Sequence, residues 1–194
     1  AGSEAVSLAD YALARVSNAP SVVGEYETWS DVFPDTVSIA PGDVYVVAHS
    51  SADAVIAAVT DVTFNSLSNG DDGFALVMGT PDDHVYVDWV GDFNGDPGSG
   101  WSVCGESNAT KDRTLVRNCE VTSGADWSVS SSVETCQWTV LPNDTWTNVG
   151  FHTFCSEADE GSSTEDDTDD NLNESEAQSV FVSMMDPELS LIHI

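Results

Sequence analysis

Basic residues are scarce in this sequence. Four Lys and Arg stand against 34 Asp and Glu among 194 residues, and the formal net charge is -30. A field of this sign repels nucleic-acid phosphates and anionic lipid headgroups. No apolar run reaches the roughly 18 residues that a membrane-spanning helix needs. We therefore expect neither direct nucleic-acid binding nor membrane insertion by this chain.

Motifs for catalysis are also missing. No G-x-S-x-G segment marks a nucleophile, and no two histidines have the i, i+4 spacing of paired zinc ligands on a helix. Phosphodiester hydrolysis needs cationic groups beside the phosphate. The cations of the chain are Arg15, Lys111, Arg113 and Arg117. Arg117 lies inside a predicted strand, where we expect it to pair with a carboxylate, either Asp88 or Asp126. No active site is expected in this chain.

Cysteine spacing argues against the common zinc motifs. The cysteines are Cys104, Cys119, Cys136 and Cys155, and none belongs to a C-x-x-C pair. An even number favours disulfides, with three connectivities open. We favour Cys119 with Cys136, because a polar loop brings the ends of two predicted strands together, which leaves Cys104 with Cys155. Disulfides and the shortage of Lys indicate a secreted or cell-surface protein. Sequons support this location at Asn108, Asn143 and Asn173.

Residues 1–155 have the composition of one folded β domain. Short apolar and β-branched segments alternate with Gly, Asn, Asp and Pro, which is typical of all-β sandwiches. The predicted strands cover residues 11–17, 43–49, 74–79, 84–90, 114–119 and 137–141. Residues 156–178 have almost no apolar side chains to bury, so we predict a disordered acidic linker there. Residues 179–194 are left unassigned.

One short helix is predicted in the segment SSADAVIAAV. Ser50 or Ser51 could accept a hydrogen bond from the first turn and so cap the helix. The helical spacing then predicts that Val55, Ile56 and Val59 face the core.

Several separated segments resemble bacterial secreted lamin tail domains. In order they are IAPGDVYVVAHSSADAVI, NGDDGFALV, VDWVGDFNGDPGSGW, NATKDRTLVRN, CQWTVL and NVGFH, within about residues 8–153. The resemblance implies an immunoglobulin-like β-sandwich without an active site of its own. It also implies attachment to secreted or surface proteins, which include extracellular nucleases and phosphatases.

The beginning of the chain departs from this family. Members open with a strand that ends in a Leu-Glu-Ile-Tyr-Asn-like segment, whereas this chain begins AGSEAVSLADYAL. We therefore expect the first strand to be missing and residues 11–17 to form an unpaired sheet edge. The cysteines are not a general property of the family, so their pairing does not follow from the resemblance.

One loop is a candidate calcium site. Asp92, Asn94 and Asp96 place oxygen-bearing side chains at alternate positions, as calcium loops do. No acid follows at the position that would complete such a loop. The alternative is a hairpin turn in which these side chains accept hydrogen bonds from their own backbone. No cofactor other than calcium is indicated.

Tryptophans are frequent for a chain of this length and divide into two groups. Trp89, Trp101 and Trp138 lie beside predicted strands and are expected to fill the core. Trp29 and Trp146 are the candidates for an exposed surface that stacks on carbohydrate, since such surfaces use aromatic faces.

These observations favour a non-catalytic accessory or interaction module of a secreted or cell-surface multidomain protein. Its partner would be another domain of the same chain, a surface or a matrix polymer. One alternative is an appended domain of an extracellular nuclease or phosphatase whose catalytic domain lies outside this sequence. A second alternative is a calcium-dependent adhesion module.

Overall fold

The computed structural model describes residues 3–155, 182–184 and 191–193. In this part of the chain short strands outnumber helices, and they pair antiparallel except for one parallel pair. The predicted all-β class is confirmed. The segment predicted as an acidic linker, residues 156–178, lies outside the described residues.

Each of the predicted strands overlaps an observed one. The strands in the described residues are β1 (Val6–Ser7), β2 (Tyr11–Val16), β3 (Thr28–Ser30), β4 (Ser38–Ile39), β5 (Val46–Ala48), β6 (Val62–Thr63), β7 (Gly73–Thr80), β8 (Asp83–Val90), β9 (Thr114–Arg117), β10 (Trp138–Leu141), β11 (Val182–Met184) and β12 (Leu191–His193). The sequence did not predict β1, β3, β4 or β6, because two or three residues are too few to show a strand pattern.

Two larger sheets make up most of the described fold. One has the strand order β3-β2-β7-β8 and the other β10-β9-β11-β12-β5-β6, while β1 and β4 pair separately. Strand β2 has a paired neighbour on each side, so the prediction that residues 11–17 form an edge was wrong. Residues 179–194, which the sequence left unassigned, contribute β11 and β12, and these strands lie between β9 and β5.

The two sheets share the main hydrophobic core. The four-stranded sheet contributes side chains that alternate along β2, β7 and β8, and the second sheet contributes side chains of β5, β9 and β10. The buried residues of these strands in this core are Leu13, Phe74, Leu76, Val90, Val47, Leu115 and Trp138. Strand β5 is buried along its whole length, as its run of apolar residues predicts.

Two single-turn helices connect strands. The predicted one, α1 (Ala54–Ala57), is capped by Asp53, whose side chain accepts from the Val55 amide, and not by Ser50 or Ser51. Only Ile56 faces the core as predicted; Val55 and Val59 are exposed, because a helix of one turn presents one side chain inward. The sequence did not predict α2 (Trp127–Ser130). Neither helix of the described chain has the length and apolar character needed to cross a membrane.

The disulfides differ from the favoured pairing. Cys104 bonds to Cys136 and Cys119 to Cys155, with Cα atoms 5.3 and 4.9 Å apart. The Cys155 amide donates to the Cys119 carbonyl, which places these two residues side by side. The Cys104 amide donates to the carbonyl of Ser131, in the turn that leads to Cys136. The sequence contains no signal for either hydrogen bond.

Peptide mapping without reduction tests this connectivity. We expect linked peptides for Cys104 with Cys136 and for Cys119 with Cys155, whereas a Cys119 to Cys136 peptide would contradict the structure. Each bond closes a loop of similar length, with separations of 32 and 36 residues. Loop closure alone predicts a loss of about 4 kcal/mol for either Cys→Ser pair. The loss should be larger for Cys104 and Cys136, because Cys104 also packs against the main core.

Candidate functional site

The outer face of the four-stranded sheet is covered by aromatic rings. They come from β3, from β8 and from the loops beside them. We call this set the aromatic face: Tyr26, Trp29, His84, Tyr86, Trp89 and Phe93. It lies on the side of the sheet opposite the main core, over a second cluster of buried side chains.

Small side chains at the centre of the sheet make room for these rings. Ala12 and Ala14 of β2 and Ala75 of β7 point outward and are fully buried. Larger residues here would hold the rings away from the sheet. Since the central strands are small on this side, rings from the two edge strands can lie across them and bury the backbone.

A β-bulge in β8 sets which rings face outward. Adjacent residues of β7 pair with Asp88 and Tyr86, which leaves Val87 as an extra residue in β8. Side chains alternate along a regular strand, so Tyr86 and Trp89 would otherwise lie on opposite faces. The bulge puts both on the outer face, while Asp88 points into the core.

The rings contact one another in a continuous series. His84 packs edge-on against Trp29 and Tyr86, with centroids 5.2 and 5.1 Å apart. Tyr86 lies 4.5 Å from Trp89, and Trp89 lies 4.6 Å from Phe93. These separations are those at which aromatic pairs attract, and the contacts are edge-to-face except for the tilted pair of Tyr86 and Trp89. The contacts give the face a fixed shape.

A loop between β2 and β3 closes one side of this surface. The Glu27 carboxylate accepts hydrogen bonds from the Ser21 hydroxyl and from the Ser17 and Ser21 amides, and these bonds, that of the hydroxyl first, lower the pKa of Glu27. The Tyr26 hydroxyl donates to the carbonyl of Pro81, in the hairpin turn between β7 and β8. The loop is thereby held together internally and tied to the turn of the β7-β8 hairpin.

The face is partly open to solvent, and the charges beside it are acidic. Tyr86 is 39% exposed, and Trp29 and Trp89 are half-buried. The Trp29 indole donates to exposed Asp31, and the Glu25 charge is among the causes that raise the pKa of Tyr86, after burial and Tyr26. Asp82 and Asp83 are exposed in the hairpin turn beside Tyr26.

Among the described residues, the cations are engaged elsewhere. Arg15 pairs with Asp72 at 3.1 Å. The Arg113 guanidinium donates to the Asp112 carbonyl, and Lys111 is exposed in a loop where its Cβ lies beside Gly70 and Gly100. Within the described chain, the cation that lies over an aromatic ring is Arg117, over Trp138 in the core. Among the described residues, acidic groups interact with the rings themselves, Asp31 through a hydrogen bond to Trp29 and Glu25 through its charge on Tyr86, while Arg15 acts on Glu27 in the adjoining loop.

Arg117 pairs with Asp88 inside the core, which confirms one of its two predicted partners. Both side chains are buried, and Arg117 also donates to Gln137 and lies 3.8 Å from the Trp138 ring centroid. Burial raises the pKa of Asp88, which the Arg117 guanidinium opposes. Since neither group is open to a substrate, the pair is structural. Asp126, the other candidate partner, is exposed at the start of α2.

The candidate calcium loop is engaged in turns. Asp92 accepts a hydrogen bond from the Asn94 amide, and Asp96 accepts one from the Gly98 amide, both at 2.7 Å. Side chains that accept from their own backbone were expected in the alternative, and this part is confirmed. The segment is not a hairpin turn, however, because it joins β8 to β9 of the other sheet. Among the described residues, three side chains of metal-ligating types lie close enough together to share one ion, namely Cys119, Glu120 and Cys155. The two cysteine sulfurs, however, are bonded to each other in a disulfide.

The two tryptophans singled out from the sequence lie apart. Trp29 belongs to the aromatic face, whereas Trp146 is half-buried against a cluster that contains Val46, Ile56 and Val149. Sequence reasoning missed Tyr26, His84, Tyr86 and Phe93. It expected Trp89 to pack against the core, and Trp89 does pack against the main core cluster as well as the outer one. The strand DHVYVDWV contains no mark of the bulge, so regular alternation separates residues that the structure brings together.

We expect Asp88→Asn to destabilise the fold by about 3–5 kcal/mol, because the Arg117 charge would remain buried without its partner. Asp126→Asn is the matched control and should change stability by less than about 0.5 kcal/mol, since its side chain is exposed and caps nothing. Urea unfolding of both variants gives the comparison. Equal stability of the two would show that the buried pair is unimportant.

His152 should make stability depend on pH. Burial first, and the Arg117 charge second, lower its pKa below the ordinary value of 6.5. As pH falls through about 6.5, the unfolded chain takes up the proton first, so this contribution is present above that pH and lost below it. His152→Gln should make the unfolding free energy depend less on pH in this window. An unaltered slope in His152→Gln would contradict this assignment.

Comparisons with known proteins add no relative. No family model matches the chain, and neither does any curated protein or solved structure. The geometry of the aromatic face and the chemistry of the residues around it are therefore the basis for assigning a function.

Proposed function

We propose that this chain is a non-catalytic interaction module of a secreted or cell-surface multidomain protein and that it binds an extracellular polymer through the aromatic face. The observation that carries the proposal is the continuous series of half-exposed rings from Trp29 to Trp89 on a sheet face. Such rings offer flat apolar area together with polar edges, which suits stacking on sugar rings. Another domain of the same protein remains the second kind of partner.

The disulfides support the proposed location. Both pairs indicate an oxidising environment, because thiols in the cytosol are kept reduced. Secretion or surface display goes beyond that observation and belongs to the proposal.

The relation to lamin tail domains is part of the same proposal. The segments that carry the resemblance form β5, β7, β8, β9 and β10, and the two sheets share one core. These features support an immunoglobulin-like sandwich. Attachment to an extracellular nuclease or phosphatase is compatible with this role, since the activity would then belong to another domain.

Retention on insoluble polysaccharide tests the proposed function. We expect the protein to be retained by at least one of cellulose, chitin, chitosan and xylan. Tyr86→Ala and Trp29→Ala should lose most of this retention, because each removes a ring from the surface. Phe151→Ala is the control, since Phe151 is 49% exposed but lies outside the aromatic face. Retention by none of the four polymers, or equal retention of all variants, would contradict the proposal.

A further inference from the structure

We infer that the polymer bound by the aromatic face is a β-linked amino sugar with free ammonium groups, as in chitosan. This inference rests on the proposed function and names the ligand class of the same surface. It is drawn from the continuous ring surface and from the sign of the charges around it.

The shape of the face favours a flat ligand. Neighbouring rings are in contact, with centroids between 4.5 and 5.7 Å apart, so no gap between them can enclose a Lys or Arg side chain. A ligand must lie across the rings. An extended β-linked sugar chain presents successive flat faces of C–H groups, which stack on aromatic rings.

The charges around the face select against acidic polymers. Glu25 lies close enough to affect Tyr86, Asp31 accepts a hydrogen bond from Trp29, and Asp82 and Asp83 stand in the adjoining turn. Uronic acids or sulfated sugars would be repelled here, and the net charge of -30 acts in the same direction.

Ammonium groups would gain from the same arrangement. Exposed carboxylates attract them, and the faces of Trp and Tyr rings attract cations as well. An amino sugar combines both requirements, because one residue presents a stacking face and a positive charge. A neutral sugar would use the rings alone and bind more weakly.

Titration of the full chain with soluble hexamers tests the inference, with Trp fluorescence as the readout. The probes are hexamers of glucosamine, of N-acetylglucosamine and of glucose, together with hexalysine as a general cation. At a pH that keeps the amines protonated, we expect the glucosamine hexamer to bind about tenfold more tightly than its acetylated form. This preference should shrink as salt rises, because charges are screened over roughly 10 Å at 0.1 M salt.

Variants separate the rings from the charges. Tyr86→Ala should weaken binding of the glucosamine hexamer at least about tenfold, Trp29→Phe should weaken it less because a ring remains, and Phe151→Ala should not change it. Asp82→Asn with Asp83→Asn should reduce the preference for free amines and leave stacking intact. Far-UV circular dichroism confirms that each variant is folded.

Each other result has a definite meaning. Equal affinity for the glucosamine and N-acetylglucosamine hexamers would overturn the choice of an amino sugar and leave the proposed function standing. Binding of hexalysine as tight as that of the glucosamine hexamer, and insensitive to Tyr86→Ala, would show general attraction to the acidic chain and overturn the inference. Failure of every sugar hexamer to bind, together with failure of retention on the insoluble polymers, would overturn both proposals.

Discussion

The buried pair of Asp88 and Arg117 links the two sheets and constrains much of what surrounds them. Asp88 belongs to the four-stranded sheet and Arg117 to its partner sheet, and both are removed from solvent. Two buried charges are tolerable only when each has its counterpart and further hydrogen bonds. Asp88 also accepts from the Trp89 and Ala125 amides, and Arg117 from β9 lies over Trp138 of β10. The pair therefore fixes the position of one sheet on the other.

The inward direction of the Asp88 carboxylate is linked to the arrangement of the rings on the opposite side of the sheet. Asp88 can reach Arg117 only if it points into the core, and the bulge at Val87 lets Tyr86 point outward close to Trp89. A regular strand would place Tyr86 on the same side as Asp88. The shape of the aromatic face and the polar link in the core are thus two results of one extra residue in β8.

The sequence predicted the longer strands and included Asp88 as one of two candidate partners of Arg117, and it failed on features that depend on tertiary contacts. Period-two patterns and turn residues locate β2, β7 and β8, because these strands are long enough to show alternation. Whether β2 has a neighbour on both sides depends on the loop after it, which leads the chain back to pair as β3. Strand β3 has only three residues, which is too short to show a strand pattern. The disulfide partners depend on where the loop of Cys104 and the segment of Cys155 pack, and no local pattern records this. Of the candidate site, only Trp29 could be singled out, since a bulge leaves no mark in composition.

The contrast between the two faces of the four-stranded sheet explains why its outer rings are available for binding. On the inner face, Phe74 and Leu76 meet the opposite sheet, and their burial removes a large apolar area from water. On the outer face no second sheet covers Ala14 and Ala75 in the described chain, so aromatic rings serve as the covering layer. Because this layer is one ring thick, the parts of the rings that touch the sheet are buried and the parts that point away from it are exposed to water. The same rings that cover the sheet therefore remain partly exposed, as the 39% exposure of Tyr86 shows, and can contact a ligand.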